Sequence, residues 1–180
     1  MKTLKLKIIA TGIFVLMLSC AGFAQNQNNN TNTSNNYSNA VGIRAGETSG
    51  LTLKHFFGNG NAVEGIIGAW PYAFGITGLY EKYAPIKNTN GLSFYYGCGA
   101  HVTFGLNRAY YVYRVDSRYY LYRYNYAGMG LGIDAIAGAE YKIPNVPIAL
   151  SLDVKPFIEF TNTGMPFTAL DPGFGIKITF

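Results

Sequence analysis

The feature that most constrains this chain is a two-residue alternation of apolar and polar positions, which its last eight residues show most clearly. In residues 173–180, Phe174, Ile176, Ile178 and Phe180 alternate with glycine, lysine or threonine. Side chains of a β-strand alternate between its two faces, so this segment predicts a strand with one apolar and one polar face. A chain assembled from such segments is expected to form sheets rather than helices.

The same alternation predicts eight strands, near residues 39–46, 50–57, 62–70, 72–83, 91–105, 127–142, 147–160 and 173–180. Compact turn sequences with Asn, Gly or Pro separate three of the strand pairs, at residues 58–61, 87–91 and 144–147. Two longer connections, residues 107–126 and 161–172, are predicted as loops. Several strands have ~10 residues or more, the length that a tilted strand needs to cross a bilayer, and eight is the smallest even number usual for a membrane barrel.

Sorting the strands by residue parity gives an aliphatic face and a charged face. The aliphatic face includes Ile133, Leu152 and Ile178. The charged face consists of Arg44, Lys54, Glu64, Glu81, His101, Asp134, Glu140, Asp153, Lys155 and Lys177. Alternation alone does not say which face is inside, because a soluble barrel has the same period with its apolar face inward.

Three observations favour charges inside and aliphatic side chains toward lipid. Aromatic residues of the apolar face fall at strand ends, as in the belts of membrane barrels. The charged face is rich in glycine, which leaves room in a narrow barrel, and its charges nearly balance in sign. The predicted belts are Phe57, Tyr80, Phe94, Tyr96, Tyr141 and Phe180 at the turn end, and Phe74, Phe104, Phe160 and Phe174 at the loop end.

A family resemblance rests on five short segments and the closing strand. The segments are SGLTLKHF (49–56), AVEGI (62–66), GLYE (78–81), YYGCGAH (95–101) and SLDVKP (151–156). The chain resembles small eight-stranded outer-membrane barrels of the OmpA/OmpX type, and more closely the "outer membrane protein beta-barrel" family of the Bacteroidota. The resemblance implies an all-β, antiparallel up-and-down transmembrane barrel with a filled polar lumen and no enzymatic activity. It also implies that the terminal Phe180 resembles the signal read by the barrel-insertion machinery.

The first 38 residues are predicted to precede the barrel. Met1–Ala24 has the basic start, apolar core and small residues of a signal peptide, cleaved near Ala24. An alternative interpretation makes Cys20 a lipidated residue after cleavage at a lipoprotein site. Residues 25–38, almost all Asn, Gln, Thr and Ser, are expected to form a disordered spacer before the barrel domain, 39–180.

Composition and charge exclude several classes of partner and chemistry. The net charge of +5 falls to +2 once the three lysines of the leader are removed, too weak a field to argue for nucleic acid. The sequence contains no phosphate-binding glycine loop, redox motif or metal-ligand spacing. We therefore expect no cofactor and no metal site, and a monomer whose partners are outer-membrane lipid, lipopolysaccharide and the insertion machinery.

The inward charges have two interpretations. An eight-stranded interior is only wide enough for side chains to fill, and buried charges must be paired, which favours a closed polar network over a narrow pore. Lys54 and Glu64, on adjacent strands, are predicted to pair. His101 is predicted to be a satisfied interior histidine, because a catalytic site would need a nucleophile within hydrogen-bond reach.

The residues 107–126 interleave tyrosines with arginines and are the one stretch that suggests recognition. The candidate contact residues are Arg108, Arg114, Arg118 and Arg123. Arginine binds phosphate and tyrosine supplies rigid contact area, so lipopolysaccharide or a surface partner would fit. The alternative is that the ends of this stretch simply extend the flanking strands. The function we expect is structural or surface-interacting; the alternatives are a lipid-modifying enzyme using His101, a narrow pore, and a soluble barrel that binds an apolar ligand.

Overall fold

The computed structural model describes residues 37–70, 73–105, 108–115, 118–125, 128–161 and 166–180. The predicted signal peptide and residues 25–36 of the predicted spacer lie outside the described residues. The described residues form ten strands: β1 (Asn39–Gly46), β2 (Ser49–Phe56), β3 (Asn61–Trp70), β4 (Ala73–Pro85), β5 (Leu92–Gly105), β6 (Arg108–Val115), β7 (Arg118–Asn125), β8 (Gly128–Lys142), β9 (Ile148–Thr161) and β10 (Pro166–Thr179). Within these ranges, no helix is long and apolar enough to span a bilayer.

Eight of the strands form a closed antiparallel barrel in the order β1-β10-β9-β8-β5-β4-β3-β2. The final strand closes it against the first, with Ile178 opposite Val41 and Ile176 opposite Ile43. At the end of that seam, Asn39 and Phe180 exchange two backbone hydrogen bonds of 2.8 Å. The prediction of an all-β, eight-stranded antiparallel barrel is confirmed.

The compact turns use the backbone conformations that their sequences favour. Gly58, Asn59 and Gly60, which join β2 to β3, all have positive φ, as do Asn88 and Asn145 in the turns before β5 and β9. Asparagine and glycine reach this left-handed region more readily than other residues. These turns and the Asn39–Phe180 seam define what we call the turn end; the opposite end, where β5 ends and β8 begins, is the loop end.

The last strand begins earlier than its sequence predicts. β10 starts at Pro166 and pairs with β9 from Pro166 opposite Phe160 onward, so the predicted loop at 161–172 is wrong over most of its length. β1 ends at Gly46, opposite Gly173. Within the described residues, positions 166–172 of β10 therefore pair with β9 on one side only.

Two prolines lie on the unpaired edge of β10. Alternate residues of an antiparallel strand direct their N–H groups to opposite sides, and the bond between Phe180 and Asn39 assigns the even-numbered residues of β10 to the β1 side. Pro166 and Pro172 belong to that set, and proline has no N–H. The part of the β10 edge that lies beyond the end of β1 thus lacks half of the backbone N–H donors that such an edge would have.

The predicted loop between β5 and β8 contains a hairpin. β6 and β7 form a separate two-stranded antiparallel sheet that runs from Arg108 opposite Asn125 to Val115 opposite Arg118. The loop prediction is thus wrong for these residues. The alternation of residues through Tyr111–Val115 is typical of a strand and agrees with β6.

The two faces of the barrel wall have opposite chemistry. On β9, Leu152 is 67% exposed, while the neighbouring Asp153 is 7% exposed. Ile133, Leu152 and Ile178 all lie on the outer side, and none is packed in the interior cluster. The interior is not purely polar, because it also holds an apolar cluster: Ala62, Ile66, Leu79, Tyr83, Tyr95 and Ile136, with Phe56 against it.

Candidate functional site: the barrel interior

The structure buries all ten charged residues that parity assigned to the interior, each at 7% exposure or less. Two further acids, Glu159 and Asp171, are buried with them. Glu159 shares the parity of Asp153 and Lys155 on β9, so alternation could have assigned it to the interior. Asp171 fell in the predicted loop and could not have been assigned.

The charged residues of the turn-end half form what we call the Lys54 cluster: Lys54, Glu64, Glu81, Glu140 and Lys177. The Lys54 ammonium lies 2.8 Å from Glu64 Oε2 and 2.8 Å from Glu81 Oε2, and 3.5 Å from Glu140 Oε2. Lys177 Nζ lies 3.4 Å from both Glu64 Oε1 and Glu140 Oε2. Three carboxylates thus share two ammonium groups.

Strand register explains why these groups meet. Lys54 is directly opposite Glu64 in the β2–β3 ladder, and Glu64 in turn is opposite Leu79, two residues from Glu81 on β4. Glu140 and Lys177 come from β8 and β10, on other parts of the wall. The cluster therefore ties together five strands across the lumen, rather than one adjacent pair.

A row of aromatic rings lies beside this cluster. Tyr37, Phe56, Tyr83 and Tyr95 follow one another with ring centroids 5.0, 4.8 and 5.0 Å apart. The Lys54 ammonium is 4.9 Å from the Tyr83 ring centroid and 4.8 Å from that of Tyr95, within cation–π range. The rings fill the turn-end half of the lumen around a single ammonium group.

Tyr37 precedes β1, yet it takes part in the interior. Its hydroxyl donates a hydrogen bond to Glu140 Oε1, on a strand far along the chain. Burial and the neighbouring carboxylate raise the pKa of the Tyr37 phenol above its ordinary value, so the hydroxyl keeps its proton and remains a donor. The spacer prediction extended to residue 38; the structure gives Tyr37 a defined place, which composition did not reveal.

The charged residues of the loop-end half form what we call the Arg44 cluster: Arg44, His101, Asp134, Asp153, Lys155, Glu159 and Asp171. Arg44 binds Asp153 at 2.6 Å and Asp171 at 3.1 Å, and it donates to the Thr48 carbonyl at 2.9 Å. The Thr48 backbone N–H in turn donates to Asp171. The guanidinium therefore fixes the short β1–β2 connection to β10.

His101 is held between two acids. Its Nδ1 lies 2.8 Å from Asp134 Oδ2 and its Nε2 lies 3.3 Å from Glu159 Oε2. Lys155 extends the network, at 3.1 Å from Asp134 and 3.2 Å from Asp171. Both ring nitrogens thus face carboxylates, and Thr103, two residues along β5, gives its own hydroxyl to Glu159.

The two clusters nearly meet. Tyr95 stacks on Tyr83 beside the Lys54 cluster, and its hydroxyl donates to Asp153 of the Arg44 cluster at 3.1 Å. The gap between the clusters is too narrow to admit a water molecule, and its wall consists of Arg44, Thr52, Glu64, Ile66, Ile136, Ser151, Asp153, Gly175 and Lys177. Side chains fill this part of the lumen.

Most of the predicted belt residues lie on the exposed outer face. Between 39% and 65% of the surface is exposed at Phe57, Phe74, Tyr80, Phe94, Tyr96, Tyr141, Phe160, Phe174 and Phe180, and Phe104 is half-buried. Phe74 and Phe104 stack with centroids 5.1 Å apart. Phe174 is not at a strand end as predicted, because β10 extends eight residues beyond it.

The remaining candidate residues belong to the β6–β7 hairpin and to the turn end of β2. Arg108 and Arg114 belong to β6, and Arg118 and Arg123 belong to β7. His55 is exposed, with Nδ1 2.8 Å from the Asn39 side-chain oxygen. In the described ranges, no group of three or more His, Cys, Asp and Glu residues is arranged to hold a metal ion.

Comparisons with known proteins find a likeness in structure. No family model matches the chain, and no curated protein matches it in sequence. The crystal structure of Neisserial surface protein A is similar to this chain with a TM-score of 0.49 at 12% sequence identity, over 79% of this chain and 93% of that one.

Proposed function

We propose that this protein is an outer-membrane β-barrel with a closed interior and a structural or surface-interaction role, without catalysis. The observation that carries the proposal is the inverted wall chemistry. Large apolar side chains such as Leu51, Leu152 and Leu170 are 61–67% exposed, whereas Lys54, Glu81 and Glu140 are 0% exposed. Burying ion pairs while exposing leucine is costly for a barrel surrounded by water and favourable for one surrounded by acyl chains.

The rival soluble barrel would bind an apolar ligand in its lumen. The interior argues against it, because ion pairs and stacked tyrosines occupy the space that such a ligand would need. A barrel of this size also has room only for its own side chains. The same filling favours a closed barrel over a narrow pore.

A lipid-modifying enzyme would need His101 to act on a nucleophile. Both of its ring nitrogens lie against carboxylates, and its ring packs edge-on against Phe157 with centroids 5.3 Å apart. A general base must be free to reach the proton that it removes. These contacts support a structural role for His101 rather than a catalytic one.

The family resemblance supports an export route and a partner. We propose that the chain is exported to the cell outer membrane of a Gram-negative bacterium and inserted by machinery that reads the strand ending at Phe180. Phe180 is 65% exposed at the turn end, where such a contact is accessible. The barrel closes on itself, so no second copy is needed to complete it.

Detergent extraction and electrophoresis test the proposal. Folded membrane barrels migrate as compact species until they are boiled, so unboiled protein is expected to run faster than boiled protein. The protein should also stay in the membrane fraction when isolated membranes are washed with carbonate. Release by carbonate, or a single band with and without boiling, would contradict the proposal and favour the soluble barrel.

A further inference from the structure

We propose that the outer wall of the barrel carries, at its turn end, a binding site for the phosphate of an anionic glycerophospholipid, formed by Lys82 and Asn61. The inference rests on the proposed membrane placement of the barrel and names a lipid for one part of its wall. It follows from the position of one ammonium group, the hydrogen-bond donors beside it and the shape of the wall next to it.

Lys82 stands alone in its chemistry on the outer wall. Among the described residues of the eight barrel strands, it is the one lysine, arginine, aspartate or glutamate that has the parity of the outer face. Tyr80 of the turn-end belt precedes it on the same face of β4, and the strand ends three residues later at Pro85, about 10 Å along the chain. Aromatic belts mark the membrane interface, and a lysine there extends along the apolar wall with its charge among the headgroups. The wall therefore presents one positive charge at the level of the headgroups.

Hydrogen-bond donors lie next to this ammonium group. Lys82 is directly opposite Asn61 on β3 and Tyr96 on β5. Opposed residues of adjacent strands have β-carbons about 4.5–5.5 Å apart, so that their side chains can contact the same ligand. The side-chain oxygen of Asn61 accepts a hydrogen bond of 3.1 Å from the Tyr80 hydroxyl, which leaves the amide NH₂ group of Asn61 to donate to a ligand. An ammonium group and an amide donor side by side suit the oxygens of a phosphate.

The charges of the turn end favour an anion. In the part of the chain that the structure describes, the acids of the two clusters are buried in the lumen, and the exposed acid Glu47 lies between β1 and β2 at the loop end. Lys87 is exposed in the turn between β4 and β5. Lys142 Nζ is held at the turn end by the carbonyl oxygens of Ile143 and Val146, at 3.1 and 2.7 Å. A headgroup with a net negative charge is therefore favoured over a zwitterionic one.

The position of the turn end in the membrane indicates which lipid supplies the phosphate. The connections at this end are short, residues 57–60, 86–91 and 143–147. Short turns of bacterial outer-membrane barrels are periplasmic. The turn end then lies in the leaflet of glycerophospholipid, whereas lipopolysaccharide occupies the opposite leaflet.

The wall next to Lys82 has a recess that can take an acyl chain. Gly78 is on the outer face of β4, four residues from Lys82, or about 13 Å along the strand. It is opposite Gly65 on β3 and Ala100 on β5, and all three positions are exposed. A β-carbon at Gly78 would meet nothing within 4 Å, so these small residues leave the wall lower here than at the side chains around them. A chain lying in this recess would have its headgroup phosphate at Lys82.

The test compares two pairs of matched variants. K82Q removes the proposed charge, and K87Q removes the same charge from the adjoining turn. G78L fills the recess, and A45L adds the same side chain to an exposed position of β1, on another part of the wall.

Each protein is refolded in neutral detergent, checked for the compact unboiled band, and titrated with phosphatidylglycerol by native mass spectrometry. Parallel titrations use phosphatidylcholine and diacylglycerol with the same acyl chains, and inorganic phosphate.

We expect K87Q and A45L to bind phosphatidylglycerol as tightly as the wild type does. K82Q should bind it about tenfold more weakly, as expected for the loss of a charge-assisted hydrogen bond. G78L should bind it more weakly than A45L, because the added side chain occupies the recess. The wild type should bind phosphatidylcholine and diacylglycerol more weakly than phosphatidylglycerol.

Four results would each overturn the inference. They are equal affinities of K82Q and K87Q, equal affinities of G78L and A45L, wild-type binding of either control lipid as tight as that of phosphatidylglycerol, and inorganic phosphate bound as tightly as the lipid. None of these results would contradict the membrane barrel. Failure of the wild type to form the compact band would count against the barrel itself, and the site would be rejected with it.

Discussion

Individual charged residues stabilise this barrel by spanning its lumen. Lys54 is the clearest case, because one ammonium group contacts carboxylates from β3, β4 and β8. A buried ion pair contributes little when it is compared with a well-packed apolar pair, but removing one partner leaves an uncompensated charge. The loss of unfolding free energy on substitution therefore depends on whether the remaining charged groups keep a partner of opposite charge.

Lys54 and Glu64 should respond unequally to substitution. Lys54→Met leaves three carboxylates with only Lys177 and is expected to lower the free energy of unfolding by about 3–5 kcal/mol. Glu64→Ala removes one of three acids, so both lysines keep a partner, and the expected loss is about 1–3 kcal/mol. Urea titration of the barrel in lipid vesicles measures both.

The exposed acid Glu47 provides the matched control. Glu47→Ala should change the free energy of unfolding by about 0.5 kcal/mol or less, as is usual for surface sites. An unchanged stability in Glu64→Ala would show that its ion pairs contribute nothing, and a larger loss there than in Lys54→Met would contradict the charge count.

At the scale of the strands, alternation predicted the wall well and its ends poorly. The faces of β2, β3 and β9 follow parity because a slip of one residue would exchange every side chain between lumen and lipid. β10 was predicted too short because Pro166 and Pro172 read as loop residues, whereas both occupy an unpaired edge. The interior apolar cluster was not predicted, although Ile66 shares the parity of Glu64 and Ile136 that of Asp134.

The Tyr37 contact and the long-range parts of both clusters could not be predicted. Alternation says which face a residue is on, not which strand is across the lumen. The interior position of Glu140 could therefore be predicted, but its contacts with Lys54, Lys177 and Tyr37 could not. Those contacts depend on barrel closure and stagger, which are properties of the whole sheet.

Two neighbouring glycines on β4 and β5 should differ sharply in tolerance. A β-carbon at Gly99 would lie 2.0 Å from the carbonyl oxygen of Gly78, so Gly99→Ala forces the backbone to move and should cost about 1–3 kcal/mol. A β-carbon at Gly78 meets nothing within 4 Å, and Gly78→Ala should be tolerated. Thermal unfolding of the two variants measures the difference; equal melting temperatures would contradict this close approach of the strands.

Introducing a charged side chain on the outer wall tests whether that wall faces lipid or water. Leu152 is opposite Ala139 and Phe174, well inside β9, so Leu152→Arg should reduce the free energy of unfolding in lipid vesicles by about 2–4 kcal/mol. Val146, in the turn before β9, is the control, and Val146→Arg should cost about 1 kcal/mol or less. Equally small effects at both positions would mean that Leu152 faces water.

The molecule as a whole is a barrel with a filled core of charges and rings. Ion pairs connect strands from opposite parts of the wall, and the aromatic row from Tyr37 to Tyr95 fills the turn-end half. Such an interior leaves no continuous water path through the gap between the clusters.

Planar bilayer recording tests the closed interior. Purified protein inserted in a bilayer should give no stable single-channel steps. Tyr37→Ala removes only the first ring of the row, and Tyr83 and Tyr95 remain, so this variant should also stay closed. Discrete conductance steps in the wild type would contradict a filled lumen and favour the narrow pore.

The unpaired stretch of β10 also affects how copies of the protein behave near one another. Proteins in a crowded membrane collide constantly. An unpaired strand edge can form backbone hydrogen bonds with the edge of another copy, and repeated pairing of this kind leads to aggregation. Along the unpaired edge of β10, residues 166–172, a strand of another copy would find backbone N–H donors only at Thr168 and Leu170, because residues 166 and 172 are prolines. We expect so few backbone hydrogen bonds to be too weak to hold two copies together, so that colliding copies dissociate.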